Sequence, residues 1–329
     1  MKKIFCFILA FVLIIVISAF FGYHWLTSSK TTAAYLNIEK GNVQVDKGKG
    51  WVSAADGMEL DLNDKVRTSA ESEASVVLYE SAIISLDPGT EVSLADLDKE
   101  HLKVKQASGS TWNKFTGLLG VKSLSVETPN TVATVRGTSF EVNMDSVIVA
   151  EGSVEVKHGK EVLTVNADEK AVFEDVKDKV TGKMLRKLVK RKLSDDDRIK
   201  ISRRLGNTVE VLRKIRQREI NKKKFLVNKL KKKYNVSDEE IKRRMREVDE
   251  GKYDLDEMMK KSPIKIESLK KIRDLTEKII KENKRLSELN KRIKSNQNKT
   301  KTTNSRLNRS NNGNNLLQKP VQRKIAPVN

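Results

Sequence analysis

The sequence predicts an all-β module set between an N-terminal transmembrane helix and an α-helical C-terminal region. Three observations predict it: an apolar run directly behind Met1-Lys2-Lys3, an alternating apolar–polar pattern from Ala34 to about Asp175, and a change to helical spacing after that point. Successive side chains of a strand leave opposite faces of a sheet, so alternation marks half-buried strands. Apolar residues three and four apart mark one face of a helix instead. The charge changes at the same place. The chain carries 65 Lys/Arg and 44 Asp/Glu over 329 residues. From Val176 onward there are 48 basic and 20 acidic residues, a balance of +28, whereas residues 1–175 carry 17 and 24, a balance of −7. Two halves of opposite sign are under different constraints.

The first element is the run Ile4–Phe21, 18 residues long. That is near the lower end of the roughly 17–25 residues that span a bilayer. Tyr23 and Trp25 follow it and suit the headgroup interface. A cleaved signal peptide is the competing reading, but it needs a shorter apolar region and small residues at the cut, where this run ends in Phe20-Phe21. Residues 1–26 are therefore read as an uncleaved anchor and 27–33 as a polar linker. Lys2 and Lys3 keep the N-terminus in the cytoplasm and export the rest, to the periplasm or cell surface. The single cysteine, Cys6, lies inside the run, which excludes an internal disulfide and a Cys-rich metal site.

Residues 34–175 are the β module. Val43/Val45, Val76/Leu78, Val92/Leu94, Leu102/Val104, Leu124/Val126, Phe140/Val142 and Val154/Val156 are alternating pairs. Turn residues divide them, among them Asp56-Gly57, Asp87-Pro88-Gly89, Thr128-Pro129-Asn130 and His158-Gly159. Short strands at that spacing build a sandwich, a barrel or a β-solenoid, and the pattern does not choose among the three. Gly41-x-Val43-x-Val45 is echoed by Gly152-x-Val154-x-Val156, either as an ordinary turn-then-strand or as two similar strands closing the module at each end.

Residues 176–294 form the basic helical region. Ser194 ahead of Asp195-Asp196-Asp197 suits a helix N-cap with acids in the first turn, and Arg198–Tyr234 reads as one long helix with Gly206-Asn207 as its candidate break. Ser237-Asp238-Glu239-Glu240 opens a second helix, and Ser262-Pro263 a third. In the third, Ile272, Leu275, Ile279, Leu286, Leu289 and Ile293 follow coiled-coil spacing, with Glu282 interrupting it. Residues 295–329, rich in Asn, Lys, Ser and Thr, read as a disordered tail.

The most specific stretch runs from Thr128 to Val142. Within it Thr128, Pro129, Val135, Arg136, Gly137, Thr138, Phe140 and Val142 resemble the signature of the FecR domain: a Thr-Pro turn, a strand ending Val-Arg-Gly-Thr, then a further strand. Gly41-x-Val43-x-Val45, Trp51 with Gly57, Val66-Arg67-Thr68 and Val149–Val156 agree in order. The resemblance covers residues 34–175. It implies an extracytoplasmic β module, which in the best-known members relays a signal from an outer-membrane receptor to a cytoplasmic sigma factor. Those regulators carry a sizeable cytoplasmic region that holds the sigma factor. Here only Met1-Lys2-Lys3 precedes the anchor, against the roughly 20–30 residues a specific interface needs. The motif residues are read as structural, with Gly137 supplying a backbone conformation other residues reach poorly and Arg136 bonding turn carbonyls.

No phosphate loop, metalloprotease helix or hydrolase elbow is present, and His24, His101 and His158 are far apart, so neither catalysis nor a cofactor or metal is expected. The basic clusters Lys222-Lys223-Lys224, Lys231-Lys232-Lys233 and Arg243-Arg244 lie on predicted helices. They lack the aromatic platforms of single-strand nucleic-acid binders, which leaves anionic lipid, an anionic cell-wall polymer or an envelope protein as partner. The expected function is an envelope binding or scaffold module. The alternative is a FecR-type signalling regulator working through another membrane protein.

Overall fold

The structure is a computed structural model that describes residues 33–117, 120–177, 184–255, 257 and 267–315. The expected anchor and linker lie outside these residues. Among the described residues no helix is long and apolar enough to cross a membrane.

Among the described residues seventeen strands form two sheets. The eight-stranded sheet runs in the order β1 (Ala34–Lys40), β5 (Glu73–Leu78), β6 (Ala82–Leu86), β9 (Ser110–Phe115), β12 (Ser139–Asn143), β13 (Ser146–Glu151), β16 (Glu169–Lys177) and β17 (Met184–Lys192). The nine-stranded sheet runs β15 (Glu161–Asn166), β14 (Ser153–His158), β11 (Val132–Val135), β10 (Leu124–Glu127), β8 (Leu102–Ser108), β7 (Glu91–Asp96), β4 (Lys65–Thr68), β2 (Val43–Asp46) and β3 (Trp51–Ser53). Neighbours are antiparallel except β8 and β10, which are parallel. The sheets face each other across one core, and that selects the sandwich from the three all-β options. Leu36, Val76, Ile84, Phe140 and Val149 from one sheet meet Val45, Val66, Leu94, Val104, Val126 and Val156 from the other, each at most 1% exposed. Val45, Val76, Leu94, Val104, Val126, Phe140 and Val156 among them belong to the alternating pairs of the sequence pattern.

The chain passes repeatedly from one sheet to the other, and the Gly-x-Val-x-Val echo marks two equivalent passages. Gly41 carries the chain from β1 to β2 and Gly152 from β13 to β14, with φ of +76° and +72°. A Cβ on Gly152 would lie 2.7 Å from the Thr138 methyl, so the close approach as well as the backbone requires glycine. β2 and β14 are each second from an edge of the nine-stranded sheet, so the similar strands do stand at its two ends.

The β structure extends past the expected boundary at Asp175. β16 continues to Lys177, and β17 lies in sequence that composition assigned to the helical region. The Lys/Arg content of β17 suits a sheet edge, where charge discourages further pairing. Its cations also meet acids on β16: Arg191 with Glu174 at 2.7 Å and Lys190 with Glu169 at 3.2 Å.

Helix α1 (Asp195–Lys222) starts at Ser194, whose side chain accepts from Asp197 N while Asp197 bonds back to the Ser194 backbone, a full capping box. It runs unbroken through Gly206-Asn207, the candidate break of the sequence reading. Gly206 faces the Leu286 side chain, 4.0 Å from where a Cβ would stand, so the missing side chain makes room for a neighbouring helix. The break falls at Lys223, before α2 (Lys224–Tyr234). α3 (Asp238–Asp249) opens on Ser237, as its capping pattern implies. α4 spans Glu267–Asn315 and so continues beyond Ser295, where composition suggested disorder. Its expected start at Ser262-Pro263 lies outside the described residues.

α1 and α4 lie on the outer face of the eight-stranded sheet, which makes a third layer. Tyr35, Val77 and Ile83 pack against Val209, Leu212 and Ile215 of α1 and Leu275 and Ile279 of α4. Trp112 and Ile148 pack against Leu193, Ile201 and Leu205, with Leu286 and Leu289 alongside. The coiled-coil-like stripe of α4 thus covers the chain's own sheet.

Candidate functional site

The residues singled out in the sequence divide into core and surface. Val135, Phe140 and Val142 are core. Thr128 closes the β10–β11 turn: its hydroxyl meets the Thr131 hydroxyl at 2.8 Å and accepts from Thr131 N at 3.0 Å. Thr138 is buried against Gly152. Gly137, at φ +134°, stands in open space on the passage from β11 to β12. Arg136 is exposed and, among the described residues, donates to no turn carbonyl, which corrects the expected bond. The two described histidines serve turns: His101 Nδ1 lies 2.8 Å from Ser123 Oγ, and His158 Nδ1 lies 2.6 Å from Asn130 O with its ring edge-on to Phe173.

The outer face of the eight-stranded sheet carries charges that sequence reasoning missed. Lys114 of β9 has a side chain only 5% exposed, and its Nζ reaches Glu151 at 2.7 Å, Ser139 Oγ at 2.9 Å and Glu282 of α4 at 2.5 Å. Arg285, one turn on, meets Glu151 at 2.6 Å and Glu282 at 3.1 Å. Glu141 of β12 receives Lys200 at 2.5 Å and Arg204 at 3.6 Å, and Arg204 also pairs with Asp87. Glu80 is held by Lys271 of α4 and lies 3.9 Å from Lys222 of α1, which itself meets Glu219 at 2.5 Å. Trp112 donates its indole N–H to Thr208 at 3.0 Å. A buried charge is tolerated only when paired and hydrogen-bonded. These clusters therefore fix where each helix sits.

Their titration follows from the surroundings. Burial alone would raise Glu151, but Lys114, Arg285 and Lys281 outweigh it and hold the carboxyl down to about 2. Glu80 goes the other way, raised first by burial and then by the charge of Glu219. Burial opposes the Glu219 charge too, yet Lys222 and Lys271 lower it. One signal in the sequence did point here: Glu282 is the residue that interrupted the apolar spacing of α4.

The outer face of the nine-stranded sheet is open. Lys65, Lys103, Lys105, Glu155 and Lys157 are exposed on it, with Ser93, Ser125, Glu127 and Thr134 half-buried between them. Arg67 stacks 4.1 Å over the Trp51 ring and donates to Gln44 at 2.8 Å. The Thr128-Pro129 turn borders a shallow depression on this face with Lys65, Glu91, Lys105 and Glu127. Signs are mixed, so the face presents no single-charge field.

Several members of the basic clusters are tied down. Lys222 is bound to Glu219 and Glu80, Lys231 pairs with Asp238 at 2.6 Å, and Arg244 with Glu240 at 2.6 Å. Lys223 caps the end of α1 with its backbone N–H, and Lys233 lies over the Tyr234 ring. Lys224, Lys232 and Arg243 are exposed.

Residues 64–160, from β4 to the turn after β14, match the family model described as FecR protein. This stretch is a FecR domain. The match covers under a third of the chain, while β1–β3, β15–β17 and the four helices of the described residues lie outside it. Lys114, Glu141, Glu80, Asp87 and Trp112, on which the helices dock, belong to the FecR domain itself. No curated protein matches the chain. Two crystal structures of a candidate anti-sigma factor from Parabacteroides distasonis ATCC 8503 are similar at 20% identity, with TM-scores of 0.31 and 0.30. Each match covers 38% of this chain and 59% of that one, so this chain spans less than two thirds of that protein's length.

Proposed function

We propose that the chain is a membrane-anchored, extracytoplasmic FecR-domain protein that acts, without catalysis, as a binding or scaffold module of the cell envelope. One observation carries this reading. One face of the FecR sandwich is sealed by the chain's own α1 and α4, and the opposite face is left open as a broad polar sheet. A sealed face serves the fold, and an exposed, mixed-charge face with the stacked Arg67–Trp51 pair is available to a folded partner. Charge complementarity of mixed sign selects a particular protein surface better than it selects a uniform polyanion.

The alternative is a FecR-type regulator that acts through another membrane protein, favoured by the FecR match. Photo-crosslinkers at Lys105 and Thr134, used in intact cells, test both. Recovery of envelope proteins supports the scaffold reading. Recovery of a complex that contains a sigma factor supports the regulator. No adduct at either position removes the open face as a binding surface. Protease added to outer-permeabilised cells tests the topology, with cleavage of the FecR domain expected before lysis.

A further inference from the structure

We infer that helix α2 is a membrane-contact element that rests on an anionic lipid headgroup surface, at the end of the molecule where the chain arrives from its N-terminal segment. The inference deepens the membrane-anchored reading above and takes its geometry from it.

Ala33 is the first described residue, and its carbonyl accepts from Tyr79 N at 2.7 Å. The next residue, Glu80, is the carboxylate that meets Lys222 near the end of α1. The arrival point of the chain and the start of α2 at Lys224 are therefore at the same end. Ala33 follows Phe21 by 12 residues, an extended reach of at most about 40 Å. With Ile4–Phe21 in a bilayer, this end of the molecule is held near the membrane surface.

The composition of α2 suits that surface. Lys224–Tyr234 holds five lysines and no acid. Phe225 is 78% exposed at its start and Tyr234 52% exposed at its end. Between them Asn228, Lys229 and Lys232 share the outward face with Phe225, while Lys231 turns inward to Asp238. Among the described residues Lys229 and Lys232 have no carboxylate partner. Phe225 decides between two anionic partners. A hydrated wall polymer attracts lysine but offers an exposed phenyl ring no apolar phase. A headgroup layer accepts both, because aromatic rings sit at the interface while lysine stems extend to the phosphates. Each lysine near such a surface strengthens attachment roughly five-fold.

The test uses the full chain with Cys6→Ser and one spin label, at Asn228→Cys or at Val12→Cys, reconstituted into vesicles of phosphatidylcholine with or without phosphatidylglycerol. With phosphatidylglycerol the 228 label is expected at headgroup depth, by its relative accessibility to oxygen and to a nickel chelate. It should stay in water on phosphatidylcholine alone. The substitutions Lys224→Gln, Lys229→Gln and Lys232→Gln together, or Phe225→Ser alone, should return it to water. A 228 label that stays in water on phosphatidylglycerol, with the 12 label in hydrocarbon, overturns the inference and leaves the anchor standing. The converse pattern removes the anchor and keeps the contact. Immobilisation of the 228 label by poly(glycerol phosphate) on neutral vesicles, indifferent to Phe225→Ser, replaces lipid with a soluble polyanion and also overturns it.

Discussion

The outer faces of the two sheets begin from the same alternating pattern and end in opposite environments. On the nine-stranded sheet the outward positions are Lys65, Lys103, Lys105, Ser125, Thr134, Glu155 and Lys157, residues at home in water. On the eight-stranded sheet they are Tyr35, Val77, Ile83, Trp112 and Ile148, interspersed with Lys114 and Glu141. Leaving the second set in water would expose a large apolar patch, which folded monomers avoid. The helices are therefore part of the folded unit and not an appendage to it.

The largest test of this contrast is to remove the cover. A fragment of residues 34–192 exposes the whole outer face of the eight-stranded sheet. We predict that it self-associates and binds a hydrophobic dye, in contrast to the full chain; a monomeric fragment with unchanged melting temperature would show that the cover is dispensable.

A single charge comes next. Lys114→Ala takes from Glu282, 1% exposed, and Glu151 their buried cation and leaves the partly exposed Arg285 as the one they still share. We expect a loss of about 3–5 kcal/mol in urea unfolding. Lys105→Ala on the open face should change stability by no more than about 0.5 kcal/mol. Equal effects would mean that the two faces do not differ as described.

Acid probes the same cluster. Glu151 falls from an ordinary 4.5 to about 2 in the fold. Because the folded value is depressed, its stabilisation is fully present above about pH 4.5 and is lost as the pH falls towards 2. The contribution is at most on the order of 3 kcal/mol. Glu80 is raised by burial, so its contribution is present at low pH and fades as the pH climbs through its folded value. Melting curves of Glu151→Gln should lose the acid limb of the wild-type profile, and an unaltered limb would assign it to other carboxylates.

The smallest effect separates two glycines. Gly152→Ala meets the Thr138 methyl and should cost more than Gly137→Ala, which meets nothing within 4 Å and carries only a backbone penalty of about 1 kcal/mol. The reverse order in thermal melts would return attention to the Arg136-Gly137 corner.

Much of the sandwich was legible because alternation reports burial on one face directly, as at Val154/Val156 or Leu102/Val104. β17 was not, since Met184–Lys192 reads as a basic segment until its acidic neighbours on β16 are known. The sealed face was hidden for a related reason. A strand buried on both sides loses its alternation, and Thr111-Trp112-Asn113-Lys114 gives no hint of which side meets a helix. Pairing across that distance is a property of three dimensions. Glu282 shows the limit: a break in apolar spacing reveals that something polar is required, but not that Lys114 requires it.

The Lys114–Glu282 bond joins residues 168 positions apart. Chains emerge from the ribosome N-terminus first, so β9 is complete long before α4 exists. Once residue 151 has followed, the ammonium group of Lys114 has Glu151 nearby but still lacks the carboxylate that encloses it. A polypeptide released before residue 282 cannot close the cluster, however well its strands have paired. A chain that stops short of residue 282 therefore differs from one that includes it by an outer sheet face on which Lys114 keeps Glu151 but not Glu282.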